Sequence, residues 1–206
     1  MILILASSSP RRAEILRAAG IEFRVRPVEI AEAAEPGESA ERMVARLAWS
    51  KAAAAAALYA AAGEPAIVIG ADTAVEVGRQ ILGKPRDAAH AREMLGRLSG
   101  RTHCVLTGVH LIRVPDRVSR RAVEKTKVTM ESLSAEEIDE YVSTAEPLAK
   151  AGAYAIQGLG GAYISKVEGC YFNVVGLPLA RLYGLLRSLG WSRSTQQRNA
   201  ATETSG

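Results

Sequence analysis

Short apolar runs alternate along this chain with segments patterned as helices, and this alternation limits the fold more than any other feature. Residues 1–6 form the first run, and a helix follows at once, since Ser9 suits its N-cap and Pro10 its first position. A second helix is predicted from Ser39 through an alanine tract, which we interpret as helix-forming only. Residues 66–71 then read as a buried strand.

A β-hairpin is predicted directly after that strand. Two strand-like runs, 73–77 and 80–82, flank Gly78 and Arg79, which suit a two-residue turn. Asp87 then suits the N-cap of a further helix. Strands and helices therefore mix along the whole chain. This predicts the α/β class, with a central mixed sheet and flanking helices.

The second half of the chain continues the same mixture. Two further strands are predicted at 103–112 and 122–130. Ser134 and Glu137 have the spacing of a capping box, which predicts a short helix after them. Pro178 suits the start of the last helix.

Length and composition indicate one globular domain. The chain has 206 residues, of which 48% are hydrophobic and 23% charged, so it can bury a core. We expect the domain to occupy residues 1–191. Residues 192–206 are polar and almost lack hydrophobic side chains, and we expect them to be a disordered tail.

Charge and targeting signals leave several partners open. The formal net charge of +4 favours anions only weakly, so nucleotides, nucleic acids and acidic membranes all remain candidates. Cys104 and Cys170 form no CxxC pattern, and we expect reduced thiols and no zinc site. The start of the chain lacks a signal-peptide pattern, and the longest apolar stretch, 52–62, is too short for a membrane span. We therefore expect a soluble cytoplasmic protein that does not bind membranes.

The first candidate site lies where the first strand passes into the first helix. Helix N-termini bind anions, and here Ser9 is followed by Arg11 and Arg12. Two cations in a first turn oppose the helix dipole and should cost a few tenths to about 1 kcal/mol each. A bound phosphate would reverse that cost. From the residues alone, an anion site and a solvated basic turn are equally good interpretations.

The second candidate site joins Asp72, Thr73 and Lys84. Asp72 ends a buried apolar run, where it can hold a metal, orient a water, or simply accept backbone bonds in a turn. Counting outward from the hairpin turn places Lys84 opposite Thr73 and therefore beside Asp72. Strict pleating would put Asp72 and Lys84 on opposite faces, so the pairing must loosen there, or the two residues serve different parts of one ligand. Lys84 also fits a plain surface position.

Three more polar residues are weaker candidates. Glu32 lies in a loop, Lys51 lies within the second helix, and both fit ordinary solvated charges. Gln157 lies among small and apolar residues, where its amide can read a base edge or satisfy a turn. The chain has no Walker loop, no GxGxxG and no Ser-His-Asp signature. The several cations and few carboxylates together suit a metal-bound polyphosphate.

The order of these motifs resembles that of the Maf proteins. The resemblance covers the chain apart from its tail. It rests on the segments LASSSPRR at 5–12, GADT at 70–73, LGKP at 82–85, LSG at 98–100, GAYAIQG at 152–158 and VVGLPL at 174–179.

The resemblance implies a nucleoside triphosphate pyrophosphatase that uses a divalent metal, Mg²⁺ or Mn²⁺. It also implies a cleft between two lobes, similar to the inosine triphosphatase superfamily. The implied substrate-binding residues are Ser9, Arg11, Arg12, Glu32, Lys51, Thr73, Lys84 and Gln157. The implied catalytic residue is Asp72, which would hold the metal or activate water, together with Glu32.

The segment around Gln157 resembles the branch of the family that prefers dTTP and UTP. The implied role is removal of unwanted or non-standard nucleotides. A homodimer is compatible with this expectation, whereas a stable nucleic-acid complex is not expected, because aromatic residues are few. Two alternatives stay open: a non-catalytic regulator that binds anions or nucleic acid and is linked to cell division, and a pyrophosphatase with a preference for purines or modified bases.

Overall fold

The computed structural model describes residues 1–193 of the chain. Within them the strands are β1 (Ile2–Leu5), β2 (Arg24–Val25), β3 (Ala66–Val77), β4 (Gln80–Leu82), β5 (Thr102–Val114), β6 (Ser119–Met130) and β7 (Ile164–Glu168). The helices are α1 (Pro10–Ala18), α2 (Ala40–Ala61), α3 (Ala88–Leu98), α4 (Ala135–Ser143), α5 (Tyr171–Val175) and α6 (Leu179–Ser188). Short 3₁₀ helices occupy Glu146–Ala149, Ala151–Ala153 and Leu159–Tyr163. Apart from Ser192 and Arg193, the predicted tail lies outside the described residues.

All seven strands belong to one sheet. Its order is β2-β1-β3-β5-β6-β7, and β4 pairs with β3 beside this path. The strand β1 runs parallel to β2 and β3, whereas the remaining neighbours are antiparallel. The predicted central mixed sheet with flanking helices is therefore confirmed.

The predicted helix starts are also present. Ser39 accepts a hydrogen bond from the backbone N–H of Arg42, and Asp87 caps α3 in the same way. Ser134 and Glu137 form both bonds of the capping box. Ser9 occupies the N-cap of α1, but its side chain makes no capping bond.

One edge of β3 is covered by two different strands, with an opening between them. Residues 66–69 pair with β1, and residues 75–77 pair with β4. The other edge of β3 pairs with β5 from Ala66 to Glu76. Within residues 1–193, no strand pairs with residues 70–74 on the β1 and β4 side. The residues that follow β1 and the residues that follow β4 both border this opening. The cleft therefore lies at this edge of β3.

Helix α2 packs directly on the backbone of one sheet face. A Cβ atom added to Gly70 would lie 2.1 Å from the carbonyl oxygen of Ala48, and one added to Gly108 would lie 2.3 Å from that of Val44. Ala52 and Ala55 in the alanine tract are fully buried against the sheet. Small residues on both partners let the helix approach closely. The tract therefore does more than form helix, since it sets the height of α2 above the sheet.

Two hydrophobic clusters cover the opposite face. One joins α1 and α6 to the first half of β3 through residues such as Leu16, Ile67 and Leu182. The other joins α3 and α4 to the second half of β3 through Leu95 and Val75. The described chain thus has two lobes that meet near the middle of β3. No helix within residues 1–193 has the length and apolar character needed to cross a membrane.

Candidate active site

A cavity of about 730 Å³ opens beside the unpaired stretch of β3. Every predicted site residue lines it, although these residues come from separate parts of the chain. They are Ser9, Arg11, Arg12, Glu32, Lys51, Asp72, Thr73, Lys84 and Gln157. Another cavity, of about 560 Å³ beside Trp49, is lined by none of them.

The alternation of β3 explains how its two polar residues serve this cavity. Asp72 lies two residues after Gly70 and therefore on the same face of β3. Its side chain points toward α2, where it meets Lys51. Thr73 points to the other face, where it meets Arg12 of α1. Because the edge of β3 is open here, both faces are accessible from one cleft. The predicted hairpin register holds as far as Leu82, which pairs with Val75. The predicted Lys84–Thr73 pair is not formed, because β4 ends at Leu82 and the pairing stops there.

Lys51 joins two carboxylates on the α2 side of the cleft. Its Nζ lies 2.7 Å from Asp72 Oδ1 and 2.6 Å from Glu32 Oε1. The side chains of Lys51 and Asp72 are 8% and 11% exposed, whereas that of Glu32 is 50% exposed. Burial opposes ionisation of Glu32, but the hydrogen bond and charge of Lys51, with Lys84 and Arg12, outweigh it and lower the pKa of Glu32. Glu32 therefore presents an ionised carboxylate beside Asp72.

Arg12 is part of the internal framework of the cleft. It is 7% exposed and donates from Nε to Gly176 O at 2.8 Å, from Nη1 to Ser7 Oγ at 2.9 Å and from Nη2 to Thr73 Oγ1 at 3.0 Å. The hydroxyls of Thr73 and Thr107 are 2.9 Å apart, which extends the network across β3 and β5. For Arg12 the sequence leaves an anion site and a solvated basic turn open. The solvated turn is wrong for Arg12, because its side chain turns inward and three of its five N–H groups donate to protein oxygens.

Three other cations line the cleft without a carboxylate partner. Within residues 1–193, Arg11, Lys84 and Lys150 make no ion pair and no side-chain hydrogen bond. Burial lowers the pKa of Lys150, and the positive charges of Arg11 and Lys84 lower it further. Sequence analysis did not select Lys150. Its only signal is its position just before the GAYAIQG segment.

Gln157 lies on the far side of the cleft from α2. Its side chain is exposed, and the neighbouring wall contains Tyr154, Ile156 and Val175. An apolar wall with one exposed amide suits a flat, partly polar ligand group.

The protein's own metal-ligating groups at this site are few. In the described part of the chain, no three or more His, Cys, Asp or Glu side chains come together as a metal site. Asp72 and Glu32 are the two carboxylates that face the cleft around Lys51. Cys104 and Cys170 are free thiols and half-buried.

Comparison with known proteins gives consistent matches over nearly the whole chain. The family model described as Maf-like protein matches residues 2–189. A dTTP/UTP pyrophosphatase of Pelotomaculum thermopropionicum is 46% identical over 190 residues, which cover 92% of this chain and 97% of that protein. A dTTP/UTP pyrophosphatase of Symbiobacterium thermophilum is 51% identical over 189 residues, which cover 92% and 94%.

Among solved structures, the Staphylococcus aureus Ham1 protein aligns with a TM-score of 0.42 and 14% identity, over 63% of this chain and 72% of that chain. The family assignment does not depend on this alignment, because the family model and the relatives each cover about nine-tenths of the sequence. The chain belongs to the Maf-like protein family.

Proposed function

We propose that this protein hydrolyses dTTP and UTP to the nucleoside monophosphate and pyrophosphate. The observation that carries the proposal is the division of one cleft into a cationic wall and a Lys51–Asp72–Glu32 cluster. The choice of substrate is supported by the relatives named dTTP/UTP pyrophosphatase.

The unpaired cations would bind the triphosphate. Arg11, Lys84 and Lys150 form no ion pair with a carboxylate among the described residues, so their donors are free for phosphate oxygens. Burial is the main cause of the lowered pKa of Lys150, and repulsion by Arg11 and Lys84 lowers it further in the free protein. A bound polyanion would relieve that repulsion, which favours binding of the triphosphate over neutral ligands.

Asp72 would act as the general base. Its Oδ1 accepts from Lys51, whereas its Oδ2 has no hydrogen-bond partner within residues 1–193 and is available to a water. That water attacks one phosphorus of the α–β bridge and gives its proton to Asp72. The bond from this phosphorus to the bridging oxygen breaks, the other product leaves with that oxygen, and monophosphate and pyrophosphate result in either case. Positioning and charge neutralisation lower the barrier, because phosphoryl transfer needs little covalent help.

A divalent cation fits the donor set of the site. Magnesium is commonly bound through one or two carboxylates completed by substrate phosphates and waters, and Asp72 with Glu32 supplies that number. When bound, Mg²⁺ or Mn²⁺ would supply neutralisation of the phosphate charge. Lys51 would orient both carboxylates.

Gln157 would read the base. A side-chain amide presents one donor and one acceptor, which match the O4 acceptor and N3–H donor of uracil and thymine. Ile156 and Tyr154 would cover the ring. Ser9 and Thr73 lie at the phosphate side with Arg12, which holds Thr73 in place. We further propose a cytoplasmic enzyme that removes unwanted nucleotides, without a stable nucleic-acid complex, and that works as a homodimer, which sedimentation analysis would test.

Product analysis on a panel of nucleotides tests the proposal. The purified protein with Mg²⁺ or Mn²⁺ should convert dTTP and UTP to monophosphate and pyrophosphate, separated by chromatography. Diphosphate with free phosphate would mean cleavage of the wrong bond. Faster turnover of purine or modified nucleotides would favour the related enzyme class, and no turnover at all would favour a non-catalytic regulator.

A further inference from the structure

We propose that Tyr141 and Glu146 are positioning residues that hold residues 155–160, here called the Gln157 segment, in the shape that selects the base. The inference rests on the proposed function, because it assigns a source to the selectivity of the same cleft. Neither Tyr141 nor Glu146 lines the cavity, whereas Ala155, Ile156 and Gln157 do. The pair therefore acts on a base in the cavity through the segment, whereas the charge of Glu146 also acts on Arg11 and Lys150.

The pair binds the backbone of the segment on both sides of Gln157. The hydroxyl of Tyr141 donates to Glu146 Oε1 at 2.7 Å and accepts from the N–H of Ala155 at 3.1 Å. The two carboxylate oxygens of Glu146 accept from the N–H groups of Leu159 and Gly160, both at 3.1 Å. Three backbone donors that flank Gln157 thus depend on two side chains from α4 and the 3₁₀ helix after it.

The pKa shifts of Tyr141 and Glu146 keep the hydroxyl a hydrogen-bond donor and the carboxylate an acceptor. Tyr141 is 2% exposed, and its burial together with Glu146 raises the pKa of its hydroxyl, which therefore remains a donor. Burial opposes ionisation of Glu146, but its bonds to Tyr141, Gly160 and Leu159 outweigh this and lower its pKa. A carboxylate held by several donors is a strong and well-oriented acceptor.

The segment lies directly against the pair. A Cβ added at Gly158 would be 2.1 Å from Glu146 Oε2, and one added at Gly160 would be 2.3 Å from the hydroxyl oxygen of Tyr141. Ala145, immediately before Glu146, has a φ of 61°, an unfavourable value for alanine. Such a conformation persists only where the surroundings impose it. The segment and the Tyr141–Glu146 pair are therefore packed so closely that a small change in either side chain should shift Gln157.

Removing the Tyr141 hydroxyl tests the inference. In Tyr141→Phe, the KM for dTTP should rise about tenfold and the preference for dTTP over dCTP should fall about tenfold, the scale of loosening one buried hydrogen bond. The kcat should stay within about twofold, and so should the affinity for inorganic pyrophosphate, since the phosphate side is untouched. Glu146→Gln, which replaces one accepting oxygen, should show the same loss of base preference, although its lost charge also acts on Arg11 and Lys150.

Tyr163→Phe is the matched control. Its ring packs edge-on against Tyr141 with centroids 5.5 Å apart, but its hydroxyl makes no side-chain hydrogen bond within the described residues. It should keep the KM and the preference of the parent. If Tyr141→Phe and Glu146→Gln keep the parent's base preference, or if Tyr141→Phe loses kcat and pyrophosphate affinity in parallel, the positioning role is wrong. Loss of folding in both variants would also overturn it. A parent protein without turnover or base preference would instead contradict the proposed function.

Discussion

Lys51 Nζ donates to Asp72 Oδ1 at 2.7 Å across the interface between α2 and β3. The same ammonium lies 2.6 Å from Glu32 Oε1, so it has a second carboxylate partner. A buried charge that loses its sole partner is strongly destabilising. The second partner means that Asp72 can be altered without leaving Lys51 unpaired.

Asp72→Asn should therefore remain folded while kcat/KM falls by about two to four orders of magnitude, the scale of losing a general base. The amide is nearly isosteric but cannot accept the proton of the attacking water. Pyrophosphate release and a melting curve measure the two effects. Asp116→Asn is the control, because Asp116 pairs with Arg113 on the exposed β5–β6 loop. Near-normal turnover of the Asp72 variant would remove Asp72 from the chemistry.

The neighbouring arginines of α1 should respond in opposite ways. Arg12→Ala should lower the free energy of unfolding by about 2–4 kcal/mol, because Gly176 O, Ser7 and Thr73 lose a buried charged donor. Arg11→Ala should change stability by less than about 0.5 kcal/mol and weaken binding of a non-hydrolysable dTTP analogue about tenfold. Urea unfolding and calorimetric titration measure these quantities. Equal losses of stability in the two variants would contradict the assignment.

The close contact of α2 with the sheet predicts a severe effect of one methyl group. Gly108→Ala should lower the free energy of unfolding by more than about 3 kcal/mol, because the added Cβ meets the backbone of Val44 and α2 must move. The shift would carry Lys51 away from Asp72, so activity should fall as well. Gly96→Ala is the control: Gly96 lies in α3, and apart from its chain neighbours and the backbone of that helix no described atom lies within 4 Å of its Cβ position. The free energy of unfolding of the Gly96→Ala variant should rise by about 0.5–1 kcal/mol. Similar urea midpoints for the two variants would refute the close approach.

Stability should decrease in mild acid because of His103. This residue is 2% exposed, and burial lowers its pKa from 6.5 to about 4. Between these pH values the unfolded chain binds a proton that the folded chain does not, so the free energy of unfolding falls as pH decreases, by up to about 3 kcal/mol. Burial and Arg121 lower the pKa of His110 as well, which adds in the same direction.

Urea titrations through this pH window measure the slope. His103→Gln should flatten it. An unchanged slope in His103→Gln would assign the acid sensitivity to other groups.

Much of the fold was predictable because its signals are local. The caps at Ser39 and Asp87, the capping box at Ser134 and the turn at Gly78 each depend on a few neighbouring residues. Their backbone bonds close within the same short segment, so tertiary contacts reinforce them without replacing them.

The sequence predicted which residues line the candidate site, but not how their side chains are arranged in it. Short motifs identified nine residues, and all nine line one cleft. Motifs do not show the direction of a side chain, so Arg12 and Arg11 looked alike although only Arg12 turns inward. Lys150 was missed because it becomes a cleft residue only when its loop meets α1 and the chain after β4.

The sequence by itself determined the longer strands and helices, several caps and the residue types of the site, because these follow from local periodicity and side-chain chemistry. It did not predict β2 or α5, and it separated 66–71 from 73–77, which the structure joins in β3. Tertiary structure alone decided that β3 has an open stretch between β1 and β4, that α2 lies on Gly70 and Gly108, and that Lys51 holds Asp72. These relationships join residues far apart in the chain. Their free energy comes from burial and hydrogen bonds that exist only once the sheet has formed.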